Sequence, residues 1–488
     1  MDDKNMGINT EHHILTEEMR SEVQTSKYYN SDLAPADSSK RNWGIFAFFS
    51  CWVAMNVCIP AYQMASSAIS MGLSWWLSLM LVFVGNAIIL IPILLNSRAG
   101  IKYGITFPVH ARSVFGLRGA QVPVILRSII GAAWTGILIW VGAESLQVAL
   151  ELLFEPWQSF QYGQVICFII FWGLNIGFTL GGSNFLKRFE GISTIILGCF
   201  CLWLLIWGVR ATSQAGYTAI DAITSLSTSS GINVGQTILV FLVANISFYS
   251  TWAINVSDIS RFAKSRKSHH IGVTLGLPFS MMLIALLGIY ITGVSKLLFG
   301  IPMWNPNDVI RAIGSKWGAL FAAIAILNET LNTNVVTNIL PPANGFASLF
   351  PKKVSYKAGV LITGIIAILI QPWKLVADPS GYIYDWLSTY GVLTGPLASI
   401  LICDYFLLKK QTLSLTDLYN GCDSKYWYYK GFNLSAILAW FIAVTPSIAG
   451  IFIEPLRVLK DYGWLLSFVL GFILYFILSK IVFRKGRG

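Results

Sequence analysis

Apolar runs of about twenty residues recur through this chain from residue 43 almost to its end, and few folds can accommodate them. A helix needs roughly 20 apolar residues to cross a hydrocarbon core about 30 Å thick. By that criterion about twelve spans are expected, near 43–66, 74–97, 121–150, 162–181, 190–209, 236–257, 271–295, 316–340, 357–373, 385–407, 432–451 and 463–482. The ninth is short and reads either as a span or as a re-entrant segment. Only 12% of the 488 residues are charged, against about a quarter in soluble domains. A chain this long would otherwise suggest about three soluble domains; its composition describes one membrane domain instead. Aromatics at 14%, with 18 Trp, suit a surface that meets lipid and headgroup. The fold class expected is an all-α polytopic membrane protein.

Residues 1–42 lack apolar periodicity and read as a cytoplasmic tail with no signal-peptide core. The net charge of +11 could suggest a nucleic acid or an anionic surface. Its placement in short loops between the apolar runs argues against nucleic acid. With the amino terminus inside, the loops holding Arg98, Lys102, Arg112 and Arg118, then Lys187 and Arg188, then Arg261, Lys264, Arg266 and Lys267 also face the cytoplasm. So do Lys352, Lys353 and Lys357, and finally Lys409, Lys410, Lys425 and Lys430. Counting both termini, about 26 of the 34 basic residues then lie inside and about 7 outside, with Arg127 left at the start of the third span. That is the asymmetry the positive-inside rule demands, and it favours an even number of spans with both ends cytoplasmic. A transporter domain at 43–482 and a short cytoplasmic end at 483–488 complete the division. The seven cysteines form no C-x-x-C pair and no metal spacing with the five histidines, so they read as buried thiols.

Polar groups at membrane depth are costly and point to function. The first span, CWVAMNVCIPAYQMAS, is interrupted by Pro60, with Asn56, Tyr62 and Gln63 around the interruption. The sixth, FLVANISFYSTWAINVSDIS, has no proline but crowds Asn245, Ser247, Ser250, Thr251 and Asn255 into an apolar stretch. These side chains either tie neighbouring helices together or, since the first and sixth spans each open a block of five, line a midplane site between inverted repeats. In the eighth span, ILNETLNTNVVTNILPPANG, Thr330, Asn334 and Asn338 fall four apart on one face. Glu329, Asn332 and Thr333 fall on an adjacent one. Such a stripe cannot face lipid; a wet cavity is the favoured neighbour and other helices the alternative. Glu144 and Glu329 are candidate intramembrane carboxylates, able to bind Na⁺, carry a proton or sit neutral and hydrogen-bonded. Asp258 and Asp404 fall at cytoplasmic helix ends, solvated or paired with nearby basic side chains.

Several segments together resemble the nucleobase:cation symporter-1 family, whose members carry nucleobases, hydantoins, allantoin and related compounds. They are WVAM with the Pro-x-Tyr that follows, KYGITFPVHARSVFGLRGAQVPVILR, WTGILIW, AINVSDISRFAK, LNTNVVTNILPPANGF and GPLASILICDYFLLKKQTLSLTDLY, in that order from about residue 41 to beyond 440. The resemblance implies a LeuT-like fold: two inverted five-helix repeats, here about 43–209 and 236–407, plus two helices at about 432–482. It implies a flat heterocycle held between aromatic rings of the third and sixth helices. Trp134 holds the third-helix position and Tyr249 the sixth, with Phe248 beside it, and Asn338 matches the eighth-helix amide that reads the ring edge. It implies a sodium site built from the first and eighth helices, which maps to Ala54, Val57, Glu329, Asn332 and Thr333. Thr333 keeps its hydroxyl, Asn332 replaces a hydroxyl residue, and Glu329 replaces a small apolar one, so the coupling ion is Na⁺ or H⁺. Where the hydantoin carrier of the family has glutamines on the first and third helices, this chain has Cys58 and Leu138. Either the solute differs in its edge chemistry, or its edge is read through Asn56, Gln63 or Asn338 instead.

The function expected is a secondary active symporter importing a nucleobase or related small heterocycle of the uracil, cytosine, purine, allantoin or hydantoin class. It would act as a monomer in a bacterial inner membrane, with no cofactor and no metal beyond a coupling Na⁺. Rival readings are a carrier for another solute such as thiamine, a membrane receptor that binds without transporting, a membrane enzyme and a channel. A receptor is disfavoured because no signalling domain is evident, and an enzyme because no nucleophile–base pair or metal cluster is. No ring of pore charges suggests a channel.

Overall fold

Long apolar helices leave the backbone no partner but itself, and helix dominates the structure accordingly. The computed structural model describes residues 12–13, 16–181, 183–226, 233–350, 353–376 and 385–485, and among them β-structure is confined to isolated bridges. Among the described residues, nine helices are long and apolar enough to cross a bilayer. In the order of the expected spans these are Trp75–Tyr103 (second), Gln121–Leu153 (third), Gly163–Leu180 (fourth), Ser183–Gln214 (fifth), Arg266–Phe299 (seventh), Lys316–Leu349 (eighth), Leu387–Leu408 (tenth), Leu434–Phe452 (eleventh) and Gly463–Lys485 (twelfth). A bent pair, Ile45–Asn56 and Ile59–Ser70, forms the first span, and the shorter apolar helices Val234–Phe248 and Tyr356–Leu369 stand at the sixth and ninth positions. The second and seventh outrun their expected ends, because helical hydrogen bonding continues through the basic and polar turns where hydropathy has already fallen.

The first span bends by 57° where its two halves meet. Pro60 has no N–H to give and sits in the first turn of the second half, where none is required. The Cys58 N–H turns back to Asn56 O (2.9 Å) rather than to Ala54 O. The Ala54 carbonyl thereby loses the partner that a continuous helix would supply. The sixth span is interrupted more gently, at Tyr249, between Val234–Phe248 and Ser250–Asn255.

Two packing groups emerge. The first, second, sixth and seventh spans contact one another, and so do the third, fourth, eighth and ninth. The tenth lies against the sixth, and the eleventh and twelfth lie with the tenth. Glycines set the closeness within each group. A Cβ on Gly288 of the seventh span would stand 2.2 Å from Tyr62 O of the first, and one on Gly136 of the third 2.4 Å from Ala367 O of the ninth. Residues preceding the first span are tied to the loops between spans. Trp43 exchanges backbone hydrogen bonds with Phe262 (2.9 Å) and Lys264 (3.0 Å), Ala36 N donates to Gly104 O (2.8 Å), and Arg41 donates to Ile101 O.

Candidate substrate and cation site

Between the two groups lies a small pocket of ≈ 50 Å³, walled by Met55, Cys58 and Pro60 of the first span, Arg127, Trp134 and Leu138 of the third, and Phe248, Tyr249, Thr251 and Trp252 of the sixth. Thr333, Thr337 and Asn338 of the eighth close it. Met55, Trp252, Thr333 and Thr337 also wall a much larger cavity of ≈ 1210 Å³. That vestibule widens towards the amino-terminal residues, with Arg20, Tyr29 and Lys40 in its wall.

Trp134, Phe248 and Tyr249, the aromatics expected beside a ring, all line this pocket. Trp134 packs edge-on against Phe248 (5.5 Å, 76°) and against Tyr390 of the tenth span (6.4 Å, 78°). Tyr249 packs against Phe248 (4.9 Å) and Trp52 (5.8 Å). Phe248 therefore stands next to both rings. At ≈ 50 Å³ the pocket is far smaller than the vestibule beside it. Tyr390, whose hydroxyl donates to Phe248 O (3.3 Å), is an aromatic neighbour that the sequence pattern does not reveal.

Asn56 does not line the pocket. Its amide donates to Gly276 O (3.2 Å), Leu277 O (3.1 Å) and Ser280 Oγ (2.6 Å), and its oxygen accepts the Tyr249 hydroxyl. It is a clamp that sets Tyr249 in place from behind. Gln63 is buried and also stands outside the pocket lining. Among the polar residues of the sixth span only Thr251 lines the pocket. Asn245 bonds back to Phe241 O (2.9 Å), Ser250 accepts from Thr394 of the tenth span (2.8 Å), and Asn255 donates to Asp258 (3.2 Å). Of these bonds only that between Ser250 and Thr394 joins neighbouring helices, the other two are local to the sixth span, and none of the three residues lines the pocket.

The eighth span separates the two tasks. Asn334 donates to Thr135 O (3.2 Å) and Asn175 Oδ1 (3.0 Å), so it belongs to the third and fourth spans, whereas Asn338 reaches the pocket. Both lie against Thr135 of the third span, within the π-helical turn Asn334–Ile339, and of the two only Asn338 lines the pocket. Pro341 and Pro342 come next and cannot donate to Thr337 O and Asn338 O. The third span satisfies both carbonyls from the side: Thr135 Oγ1 donates to Asn338 O (2.7 Å) and Arg127 Nη2 to Thr337 O (3.4 Å). Arg127, 4% exposed, leaves its Nε without a hydrogen-bond partner. A buried guanidinium in the pocket wall is the largest feature that sequence reasoning missed.

Of the expected cation ligands, Ala54, Asn332 and Thr333 share the vestibule wall beside the bend. Val57 and Glu329 do not line it. Glu329 is buried and accepts from Thr333 Oγ1 (2.8 Å) and Thr330 Oγ1 (3.4 Å). The chemistry present is one carboxylate, an amide, a hydroxyl and a carbonyl released by the bend. Hard oxygens of this kind suit Na⁺, and the carboxylate alone suits a proton. Glu144 has the bland role: it accepts from Asn305 (3.3 Å) and Asn307 (3.5 Å) and pins the connection ahead of the eighth span. Asp258 accepts the Phe107 N–H (2.8 Å), and Asp404 pairs with Lys409 and accepts from Tyr475 (2.7 Å).

Residues 35–471 match the family model described as permease for cytosine/purines, uracil, thiamine, allantoin. The chain belongs to this family. A purine-uracil permease of Arabidopsis thaliana is 33% identical over 475 residues, taking in 93% of this chain and 78% of that one. An allantoin permease of Bacillus subtilis is 28% identical over 475 residues, or 94% and 95% of the two chains. The structure of Mhp1, a nucleobase-cation-symport-1 family transporter in a closed conformation with bromovinylhydantoin bound, is similar with a TM-score of 0.79 at 22% identity, covering 94% of this chain and 96% of that one. The likeness to Mhp1 is one of fold, and it agrees with the LeuT-like architecture. As a family permease the chain is a multi-pass membrane protein of helices.

Proposed function

We propose that this permease is a secondary active symporter that carries a nucleobase or related flat heterocycle, of the purine, uracil, cytosine, hydantoin or allantoin class, by alternating access. One observation carries the reading: Trp134, Phe248, Tyr249 and Asn338 wall a single pocket that opens, through residues shared with the bent first span and the eighth, into a wide vestibule. Two π faces bury the plane of a ring while an amide reads its edge. Cys58 and Leu138 offer the edge no amide, and Arg127 supplies donors instead, which favours solutes with carbonyl oxygens on that side.

The coupling cation, Na⁺ or H⁺, acts at the first/eighth junction through Ala54, Val57, Glu329, Asn332 and Thr333. Ion and solute favour the same state, so each raises the affinity of the other. The blocks 43–209 and 236–407 serve as inverted repeats, with the helices within 432–482 peripheral. The basic loops and both termini face the cytoplasm, and the monomer is the working unit. In proteoliposomes, labelled uracil, cytosine, hydantoin, allantoin, a purine and thiamine are each offered under a Na⁺ gradient and, separately, a proton gradient. Accumulation of an unmodified heterocycle under one gradient supports the reading. Saturable binding without accumulation would make the protein a receptor and overturn it.

A further inference from the structure

A second cavity, of ≈ 480 Å³, lies apart from the pocket and vestibule, on the side where the basic loops gather. Among the described residues its wall carries four cations, Lys27, Arg112, Arg118 and Lys353, and no carboxylate. None of the four forms an ion pair among the described residues. Arg112 stands at the back, 4% exposed, donating to Leu418 O (3.2 Å) and stacked over Tyr419 (5.3 Å). Burial pulls its guanidinium below the ordinary value, with only Tyr419 and Tyr28 opposing the shift. Lys27, Arg118 and Lys353 are exposed at the rim. Charges of one sign gathered around a cavity without an acid raise each other's energy, and an anion relieves it.

Apart from Tyr28, Gln121 and Ser348, the remaining wall is apolar. Val124 of the third span and Leu349 and Phe350 at the end of the eighth line it, and Phe350 is 57% exposed. From Gln121 at the cavity's edge an exposed stripe continues along the third span through Ile125 (38%) and Ile129 (44%), four residues apart. A headgroup in the cavity would thus find a path for its acyl chains along the same helix. A soluble anion makes no use of that stripe.

We infer that this cavity binds the phosphate headgroup of an anionic phospholipid of the cytoplasmic leaflet, held by Lys27, Arg112, Arg118 and Lys353, with its chains along Ile125 and Ile129. The leaflet assignment rests on the orientation proposed above; the site itself rests on neither the solute nor the coupling ion. Basic pockets at the ends of spans are suited to such headgroups. The bound lipid joins the amino-terminal segment to the third and eighth spans, the two that carry Trp134 and Asn338.

The test is native mass spectrometry of the detergent-purified full chain titrated with phosphatidylglycerol or phosphatidylcholine, with inorganic phosphate as competitor. The double variant Arg118→Gln/Lys353→Gln, both at exposed positions, is compared with Lys267→Gln/Lys410→Gln, which loses equal charge from exposed positions elsewhere. Expected is preferential retention of phosphatidylglycerol by the wild type and by the Lys267/Lys410 pair. Affinity should fall about tenfold or more in the Arg118/Lys353 pair, since each basic residue near an anionic surface contributes about a fivefold factor. Equal loss in both pairs, or no preference over phosphatidylcholine, overturns the site. Displacement of the lipid by millimolar inorganic phosphate assigns the cavity to a soluble phosphate and overturns the lipid.

Discussion

Replacing Trp134 by Ala tests the solute pocket most directly, provided two effects are separated. The indole is buried between Phe248 and Tyr390, and removing a buried Trp costs about 3–5 kcal/mol of stability through lost contacts and the void left behind. Stacking of a base on an aromatic ring is worth about 1–3 kcal/mol, which at 1.4 kcal/mol per decade is about a five- to 150-fold loss of affinity. Trp134→Phe keeps a π face and fills most of the void, so it should lose only about two- to twelvefold in affinity, the span of aromatic-pair energies of about 0.5–1.5 kcal/mol. Binding is read by scintillation proximity with the labelled heterocycle that the uptake panel identifies, and folding by size-exclusion profile and thermal shift. A folded Ala variant with unchanged affinity refutes the pocket. A Phe variant as poor as Ala refutes stacking as the source of the affinity.

Glu329→Gln keeps the shape and one acceptor oxygen, enough for the shorter bond from Thr333, while removing the charge. Gradient-driven accumulation should fall to the level seen without a gradient, with solute binding changed less than about threefold; retained stimulation by the gradient would place coupling elsewhere. Thr135→Val removes the donor to Asn338 O without changing size, and an unsatisfied buried carbonyl costs about 1–3 kcal/mol. The apparent melting temperature should drop, and Thr135→Ser should restore it. Gly288→Ala forces a Cβ towards Tyr62 O, at 2.2 Å before relaxation. Overpacking of this kind costs about 1–3 kcal/mol, visible as a lower thermal-shift midpoint, and a wild-type midpoint would contradict the close packing of the first and seventh spans.

The helical class was legible because span length is a local property: twenty apolar residues announce themselves without knowledge of their neighbours. The same holds for the bend, since Pro60 acts on the backbone beside it. Trp134, Phe248, Tyr249, Asn338, Cys58 and Leu138, which share one pocket wall, were legible through resemblance to relatives. Periodicity in the eighth span put Asn334 and Asn338 together, and both lie against Thr135, but it could not show that Asn334 is taken up by Asn175 while Asn338 lines the pocket. It failed in the sixth because a polar side chain on a buried face looks the same whether it meets a cavity or Thr394. Arg127 was hidden for another reason: near a helix start it reads as an interfacial anchor. Its burial follows only from the carbonyl that Pro341 releases on a different helix.

The side-chain bonds from Thr135 and Arg127 to the eighth span have a mechanical consequence. They cross-link two helices where the backbone ladder is interrupted, so the third and eighth spans resist sliding over each other. Asn56 does likewise for the first and seventh, and through Tyr249 for the sixth. Each half is braced internally, and the seam between Tyr249 and Trp252 on one side and Thr333 and Asn338 on the other is the plane left to shear. On the function proposed above, a solute or ion lodged across that seam would work as a rivet, and the working stroke would amount to driving and drawing it.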